Sequence, residues 1–146
     1  MREGPVSPDR AVRLAVALAV GMAWPAWSHH STTYFDLDAE IVHENVTVVR
    51  FEVANPHGIL VYRVTDEAGS AEEWDAELPS ANFTRRAGID GSILSPGDRL
   101  TRVSGQPGRP GRTRERLMRL ERADFPNGDV ATFTGISATL TRAPAR

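Results

Sequence analysis

The chain has 146 residues, of which 40% are apolar and 25% are charged, and its formal net charge is -2. These values are typical of a globular protein and exclude a disordered or fibrous one. Every basic residue is an arginine and there is no cysteine, so disulfides, thiolate metal sites and cysteine nucleophiles are excluded. Any metal ion would therefore be held by His, Asp or Glu.

Residues 1–28 have the layout of a secretory signal peptide. Two arginines precede an uncharged apolar run from Leu14 to Trp24, which is much shorter than the roughly 20 residues that span a bilayer as a helix. Ala26 and Ser28 fit the small residues of a cleavage site, and cleavage after Ser28 makes His29 the new amino terminus. We therefore expect a periplasmic or secreted protein with no permanent membrane span after cleavage. A retained membrane anchor is the less favoured alternative.

The chain that follows alternates apolar and polar residues with the period of two that is typical of strands. Residues 46–53 form the first predicted strand, with Thr47, Val49, Phe51 and Val53 on its buried face. Residues 55–58 suit a type I turn, and residues 59–65 form the return strand of a hairpin. A third strand at residues 72–78 has Trp74, Ala76 and Leu78 on one face and acidic residues on the other.

A short helix is predicted over residues 80–87, with Ser80 as its cap and Gly88 closing it. Residues 99–105 form a fourth strand. Residues 114–123 suit a strand or a helix, and the Asn-Gly hairpin signal just beyond them favours a strand paired with residues 130–134. Residues 138–146 are predicted to be a flexible tail.

This order of elements predicts a mainly β protein, a small OB-like antiparallel barrel of five to six strands. One short helix lies between strands 3 and 4, and a signal-peptide helix precedes the barrel. Residues 29–137 form the single barrel domain in this interpretation. A helix-capped β-sandwich is the main alternative.

The histidines that follow the cleavage site are the candidate metal ligands. If signal peptidase frees the amino group of His29, that amine and the imidazole of the same residue can chelate one ion. His57 or His30 would complete a set of nitrogen donors suited to Cu(II), so copper is the candidate cofactor, with none certain. In the simpler interpretation the terminal histidines are exposed, His57 only fills a turn position, and His43 is a solvated side chain.

The charged residues do not indicate a catalytic site. Residues 29–98 contain 13 acidic residues and 4 arginines, whereas residues 99–146 contain 4 acidic residues and 10 arginines. No phosphate loop, nucleophile elbow or zinc-protease motif is present, so we predict that the protein is not an enzyme. The arginine cluster from Arg109 to Arg122 has no interleaved aromatic residues, which argues against nucleic-acid binding. We expect these arginines to pair with the acidic third strand instead.

Several motifs after the predicted signal peptide occur in the order found in one bacterial family. They are His29-His30-Ser31, Phe51-Glu52 with Asn55-Pro56-His57, Trp74 with Glu77, Arg85-Arg86-Ala87-Gly88, Pro96-Gly97-Asp98 and Gly105-Gln106-Pro107. From His29 to about Gly128 the chain resembles the secreted family catalogued as domain of unknown function 6152. The resemblance implies an exported, small, β-rich protein and supplies no established activity. Among the motif residues, Trp74, Glu77, Arg85 and Arg86 are the candidate binding residues.

The sequence therefore predicts an exported binding protein with a copper site at its amino terminus. Its partner would be a small ligand, a metal ion or a protein of the cell envelope. The alternative is a structural or interaction subunit of an envelope complex that binds no metal.

Overall fold

The computed structural model describes residues 34–145, which contain seven strands and one helix. The predicted signal-peptide helix lies outside the described residues, as do His29 and His30. The elements in chain order are β1 (Ile41–Glu52), β2 (Gly58–Thr65), β3 (Ala71–Leu78), α1 (Ala81–Arg86), β4 (Arg99–Pro107), β5 (Leu117–Asp124), β6 (Val130–Thr134) and β7 (Ser137–Thr141). Residues 114–123 were ambiguous between strand and helix, and β5 confirms the strand.

The first five strands close into a barrel. The sheet has the order β3-β2-β1-β4-β5-β6-β7, and an additional pairing joins β3 to β5. Every neighbouring pair in that order is antiparallel, whereas β3 and β5 are parallel, with Asp75 opposite Leu117 and Glu77 opposite Arg119. This strand order, with a helix between β3 and β4, confirms the predicted OB-like barrel.

The inner side chains form the core of the barrel. Tyr62 and Met118 are fully buried at its centre. The other core residues come from all five barrel strands, since a barrel of this size is filled by its own side chains. They include Val46, Val48, Leu60, Ala76, Leu78, Leu100, Val103 and Leu120. Trp74, Ala76 and Leu78 share the inner face of β3, as the alternation predicted.

Strand β1 changes its inward-facing side in its middle. The predicted inner face is wrong in the first half, where Val46 and Val48 are buried and Thr47 and Val49 are not. The reason is a β-bulge: Val48 lies opposite Tyr62 and Arg50 opposite Val61, so β1 contains one extra residue between these pairs. An extra residue shifts the alternation by one position. Beyond the bulge, Phe51 and the buried Val53 face inward as predicted.

Helix α1 covers the end of the barrel where β3 ends and β4 begins. Its first amide, that of Ala81, donates to the backbone oxygen of Ala54 at 2.9 Å and to Oδ1 of Asn55 at 3.1 Å. Ser80 stands at the N-cap position, but its side chain makes no capping hydrogen bond. Gly88 follows the helix with a φ of 77°, a conformation that favours glycine. The β1–β2 connection therefore fixes the start of the helix.

The predicted tail is wrong for residues 138–141, because they form most of β7. This strand pairs with β6 from Val130–Thr141 to Thr134–Ser137. Ala138 and Leu140 pack against the core, and burial of these side chains favours the strand over a free tail. The charged and polar residues around them concealed the strand in the sequence.

The carboxylate of Asp129 binds the segment that follows β7. It is almost fully buried and accepts hydrogen bonds from the backbone amide of Ala143 at 2.8 Å and from Nη1 of Arg142 at 2.7 Å. The amide and the guanidinium hold the pKa of Asp129 below its usual value of 3.8. The carboxylate charge therefore contributes to the stability of the folded state.

We expect Asp129→Asn to lower the melting temperature at pH 7, since it removes that charge. A carboxyl whose pKa is lowered by folding stabilises the fold fully above its unfolded value, and this contribution is lost as the pH falls through the folded value. The difference between the two proteins should therefore shrink in acid below about pH 4. Thermal unfolding followed by circular dichroism between pH 7 and pH 3 measures both effects. Asp124→Asn, which only breaks a more exposed pair with Arg122, is the control. An equal loss in both variants would contradict the role given to Asp129.

A second prediction concerns Gly105, where β4 and β5 approach closely at another register shift. A Cβ at this position would overlap the backbone oxygen of Arg119 and lie 3.1 Å from Sδ of Met118. Gly105→Ala should lower the free energy of unfolding by about 1 to 3 kcal/mol. Gly91→Ala should stay within about 0.5 kcal/mol, because that Cβ would meet no atom within 4 Å. Urea titration of the two variants tests the close approach; equal stabilities would refute it.

Candidate functional site

His57 and Glu77 meet at the barrel end where β2 begins and β3 ends. Nδ1 of His57 lies 3.1 Å from Oε1 of Glu77, and their side chains are 27% and 32% exposed. The strand register produces this contact, since Gly58 pairs with Leu78 and Ile59 pairs with Glu77. An imidazole and a carboxylate are thus held together in a half-buried position at the protein surface.

Gly58 makes this position possible. A Cβ on Gly58 would lie 2.6 Å from the backbone oxygen of Glu52 and 3.4 Å from Cβ of Leu78. Only glycine lets the end of β1 and the start of β2 approach so closely. Residues 53–57 form a bend between these strands, with a cis peptide bond before Pro56, instead of the predicted type I turn. The short bend and the glycine bring His57 next to the end of β3.

Arg85 supports the same end of the barrel from the helix. Its Nη2 donates a hydrogen bond to the backbone oxygen of Val53 at 3.3 Å, so this predicted binding residue braces the bend between β1 and β2. Arg86 is exposed in the last turn of α1. The structure thus places Arg85 beside the bend that carries His57, and leaves Arg86 open to solvent.

The four predicted binding residues do not converge on one point. Trp74 and Glu77 lie on opposite faces of β3, because they are three residues apart in a strand. The Trp74 ring contacts the His43 ring edge-on, with 4.6 Å between ring centroids. Glu77 faces outward to His57. Trp74 therefore belongs to an inner aromatic cluster and not to the His57–Glu77 site.

His43 is the main residue whose role the sequence did not predict. The expectation of a solvated side chain is wrong, since His43 is half-buried and its Nδ1 lies 2.8 Å from the Tyr62 hydroxyl. Burial lowers the pKa of His43, against the opposing effect of the Glu72 charge. Burial also raises the pKa of Tyr62, and the Asp75 charge acts in the same direction. The sequence signal that could have placed His43 in the strand is its spacing of two from Ile41, just ahead of the predicted start of β1 at residue 46.

The donors available to a metal ion can be stated for the described part of the chain. Residues 34–145 contain no group of three or more His, Asp or Glu side chains placed to hold an ion. Oε1 of Glu77 lies within ion-pair distance of His57. The predicted ligands His29 and His30 lie outside the described residues.

Two arginines of the basic cluster pair with the acidic strand β3, as the sequence predicted, whereas Arg119 and Arg122 pair with Glu121 and Asp124 of their own strand. Arg114 lies 2.6 Å from Asp75, and Arg116 lies 3.0 Å from Glu72. Both pairs span the closure of the barrel, where β3 and β5 run side by side. Glu73, on the outer face of β3, pairs with Arg63 on β2 instead. These charges are thus neutralised within the fold.

The contribution of these closing pairs should be small. Glu72 and Arg116 are about half exposed, and exposed pairs typically contribute about 0.2 to 1 kcal/mol. A double-mutant cycle of Glu72→Ala and Arg116→Ala should give a coupling energy in that range that falls at high salt. A coupling of more than about 2 kcal/mol would show that ion pairing, and not the core, closes the barrel.

Comparison with known proteins gives one match. The model of a family described as a family of unknown function, DUF6152, matches residues 17–116. The match includes all three predicted metal ligands and all four predicted binding residues, and ends just before β5. No curated protein and no solved structure matches the chain. No helix within residues 34–145 is long and apolar enough to cross a membrane.

Proposed function

The chain belongs to the family of unknown function DUF6152, and from that premise we propose that it is an exported binding protein that holds Cu(II) at the His57 end of its barrel. The ligands are the amino group and imidazole of His29 together with the imidazole of His57, with His30 as the alternative third residue. The protein acts by binding and not by catalysis. Its compartment is the periplasm or the exterior of the cell.

The contact between His57 and Glu77 is the observation that carries this proposal. Imidazoles that bind metals characteristically place their other ring nitrogen against a carboxylate, which fixes the tautomer and the orientation of the ring. With Nδ1 of His57 lying 3.1 Å from Glu77, Nε2 is the ring nitrogen that we assign to the ion in this proposal. Nitrogen donors of this kind suit Cu(II) better than Mg²⁺ or Ca²⁺, which prefer oxygen ligands.

The amino terminus supplies the remaining donors. Cleavage after Ser28 creates an α-amine on the residue that also has an imidazole, and these two nitrogens chelate one ion. The apolar run from Leu14 to Trp24 and the small residues before His29 support this processing. The chain has no lysine, so the α-amine competes with no side-chain amine for the ion.

The charges on β3 support a binding role over a catalytic one. Glu72, Glu73 and Asp75 each pair with an arginine, and Glu77 contacts His57. These carboxylates are therefore engaged in ion pairs within the fold.

Copper titration of the polypeptide that begins at His29 tests the proposal. It should take up one Cu(II) with a visible d–d absorption band. His57→Ala should remove a ligand and weaken the uptake. Glu77→Gln should keep every ligand and lower the affinity by about 10- to 100-fold, as is usual for the carboxylate behind a coordinating imidazole. His43→Gln removes a histidine that faces the barrel interior, and should leave the affinity unchanged.

The intact 146-residue chain is the second control, because its His29 has no free amino group. Mass spectrometry of the exported protein identifies its first residue and any retained metal in one measurement. Equal, weak uptake by the intact and the shortened chains would overturn the copper site. The remaining function would then be that of a metal-free structural or interaction subunit of an envelope complex.

A further inference from the structure

The hydroxyl of Tyr62 has two hydrogen-bond partners, and its single proton can serve only one of them. Nδ1 of His43 lies 2.8 Å away, and Sδ of Met118 lies 3.7 Å away. Tyr62 and Met118 are fully buried, so no solvent can replace either partner. The position of the hydroxyl proton is therefore decided between an imidazole nitrogen and a thioether sulfur.

The His43–Tyr62 contact joins the part of β1 that does not pair with β2 to a β2 residue whose backbone partner is Val48. Residues 41–46 of β1 pair with β4, whereas the pairing of β1 with β2 starts only at Thr47. His43 lies in the unpaired half of that edge and Tyr62 lies on β2. The side-chain contact therefore holds the first half of β1 against its neighbour.

We infer that Tyr62 transfers its hydrogen bond from His43 to Met118 when His43 is protonated, so that the contact between β1 and β2 survives acidification. When the imidazole is neutral, the hydroxyl donates to Nδ1. When it is protonated, Nδ1 becomes a donor to the phenol oxygen, and the hydroxyl turns to the sulfur, which is a weak acceptor. No buried polar group loses its partner in either state, which avoids the cost of an unsatisfied hydroxyl.

The charges around the pair favour reversible protonation of His43. Glu72 on β3 favours the protonated imidazole, and Arg116 partly neutralises Glu72. Asp75, itself paired with Arg114, disfavours ionisation of Tyr62. The residue facing His43 from β4 is Val103, which has no charge. Ionisation is therefore confined to the imidazole, while the phenol stays neutral.

Burial lowers the pKa of His43 below 6.5, which fixes the sign of its effect on stability. The unfolded chain takes up its proton first as the pH falls, so the folded state loses stability between pH 6.5 and the lowered value. Met118 limits this loss by accepting the displaced hydrogen bond. Replacing the sulfur should therefore make protonation of His43 less favourable.

Titration of the His43 imidazole by NMR in the full chain tests the inference. Met118→Leu preserves the apolar volume and removes the acceptor, and should lower the proton affinity of His43 by about two- to tenfold. The same substitution in a Tyr62→Phe background should leave the affinity unchanged, because no hydroxyl proton remains to be relocated. His43→Gln identifies the resonance. No change in the wild-type background, or an equal change in both backgrounds, would overturn the inference.

Hydrogen exchange supplies a readout on the strand itself. After correction for intrinsic rates, protection of residues 41–46 relative to that of β6 should stay constant between pH 7 and pH 5 in the wild type. In Met118→Leu, protection at pH 5 should fall more for these residues than for β6. Uniform loss over the whole barrel would indicate general destabilisation and would contradict a role confined to the β1–β2 contact.

Discussion

The parallel pairing of β3 with β5 is the constraint on which the rest of the structure depends. Three residue pairs, from Asp75–Leu117 to Glu77–Arg119, convert an open sheet into a barrel. Closure buries Ala76 and Met118 against each other's strands and gives the acidic face of β3 its arginine partners. It uses only the first part of one edge of β5. Residues Arg122–Asp124 of the same edge pair with β6. The hairpin of β6 and β7 therefore extends the sheet beyond the end of β3.

Because one edge of β5 pairs first with β3 and then with β6, the two ends of the barrel are occupied by different parts of the chain. At the end where β3 stops, α1, the bend carrying His57, and the hairpin of β6 and β7 are brought together around core residues such as Ile89 and Leu94. At the other end, the first half of β1 lies beyond the reach of β2, and the His43–Tyr62 contact takes the place of backbone pairing. The proposed copper site and the buried proton therefore belong to different parts of the molecule.

The sequence predicted the order of the elements and the closed barrel because turn residues and alternation are local signals. The sequence-based prediction was wrong where a residue changed which side chains of a strand face the core. Asn45 adopts a left-handed conformation with a φ of 53°, and an extra residue follows Val48, so β1 exchanges its two faces between His43 and Phe51. Alternation counted from Val49 therefore assigned the wrong buried face and missed His43. The strand β7 was not predicted because its burial depends on the packing of Ala138 and Leu140 against residues distant in sequence.

The residues of the candidate site also divide into those that the sequence could single out and those that only the structure shows. His57 could be singled out from the sequence because histidine is a rare residue type with distinctive chemistry, and the structure adds Glu77 as its neighbour through strand register. The alternation along β3 already placed Trp74 and Glu77 on opposite faces, so their membership of one site could have been rejected from the sequence. The sequence predicts Arg85 as a binding residue, whereas in the structure its hydrogen bond to Val53 connects the helix to the end of β1.

The barrel closure also determines how the chain can reach its folded state. Between β3 and β5 lie the helix, the loop after it and all of β4, so their pairing brings together residues that are distant in sequence. Such contacts form only after a large loss of chain entropy, which makes folding of high-contact-order topologies slow. The hairpin of β1 and β2 and that of β6 and β7 are local and can form early. The pairing of β1 with β4 spans an even longer stretch of chain. Until the β1–β4 and β3–β5 pairings form, the apolar inner faces stay exposed to solvent and to other chains.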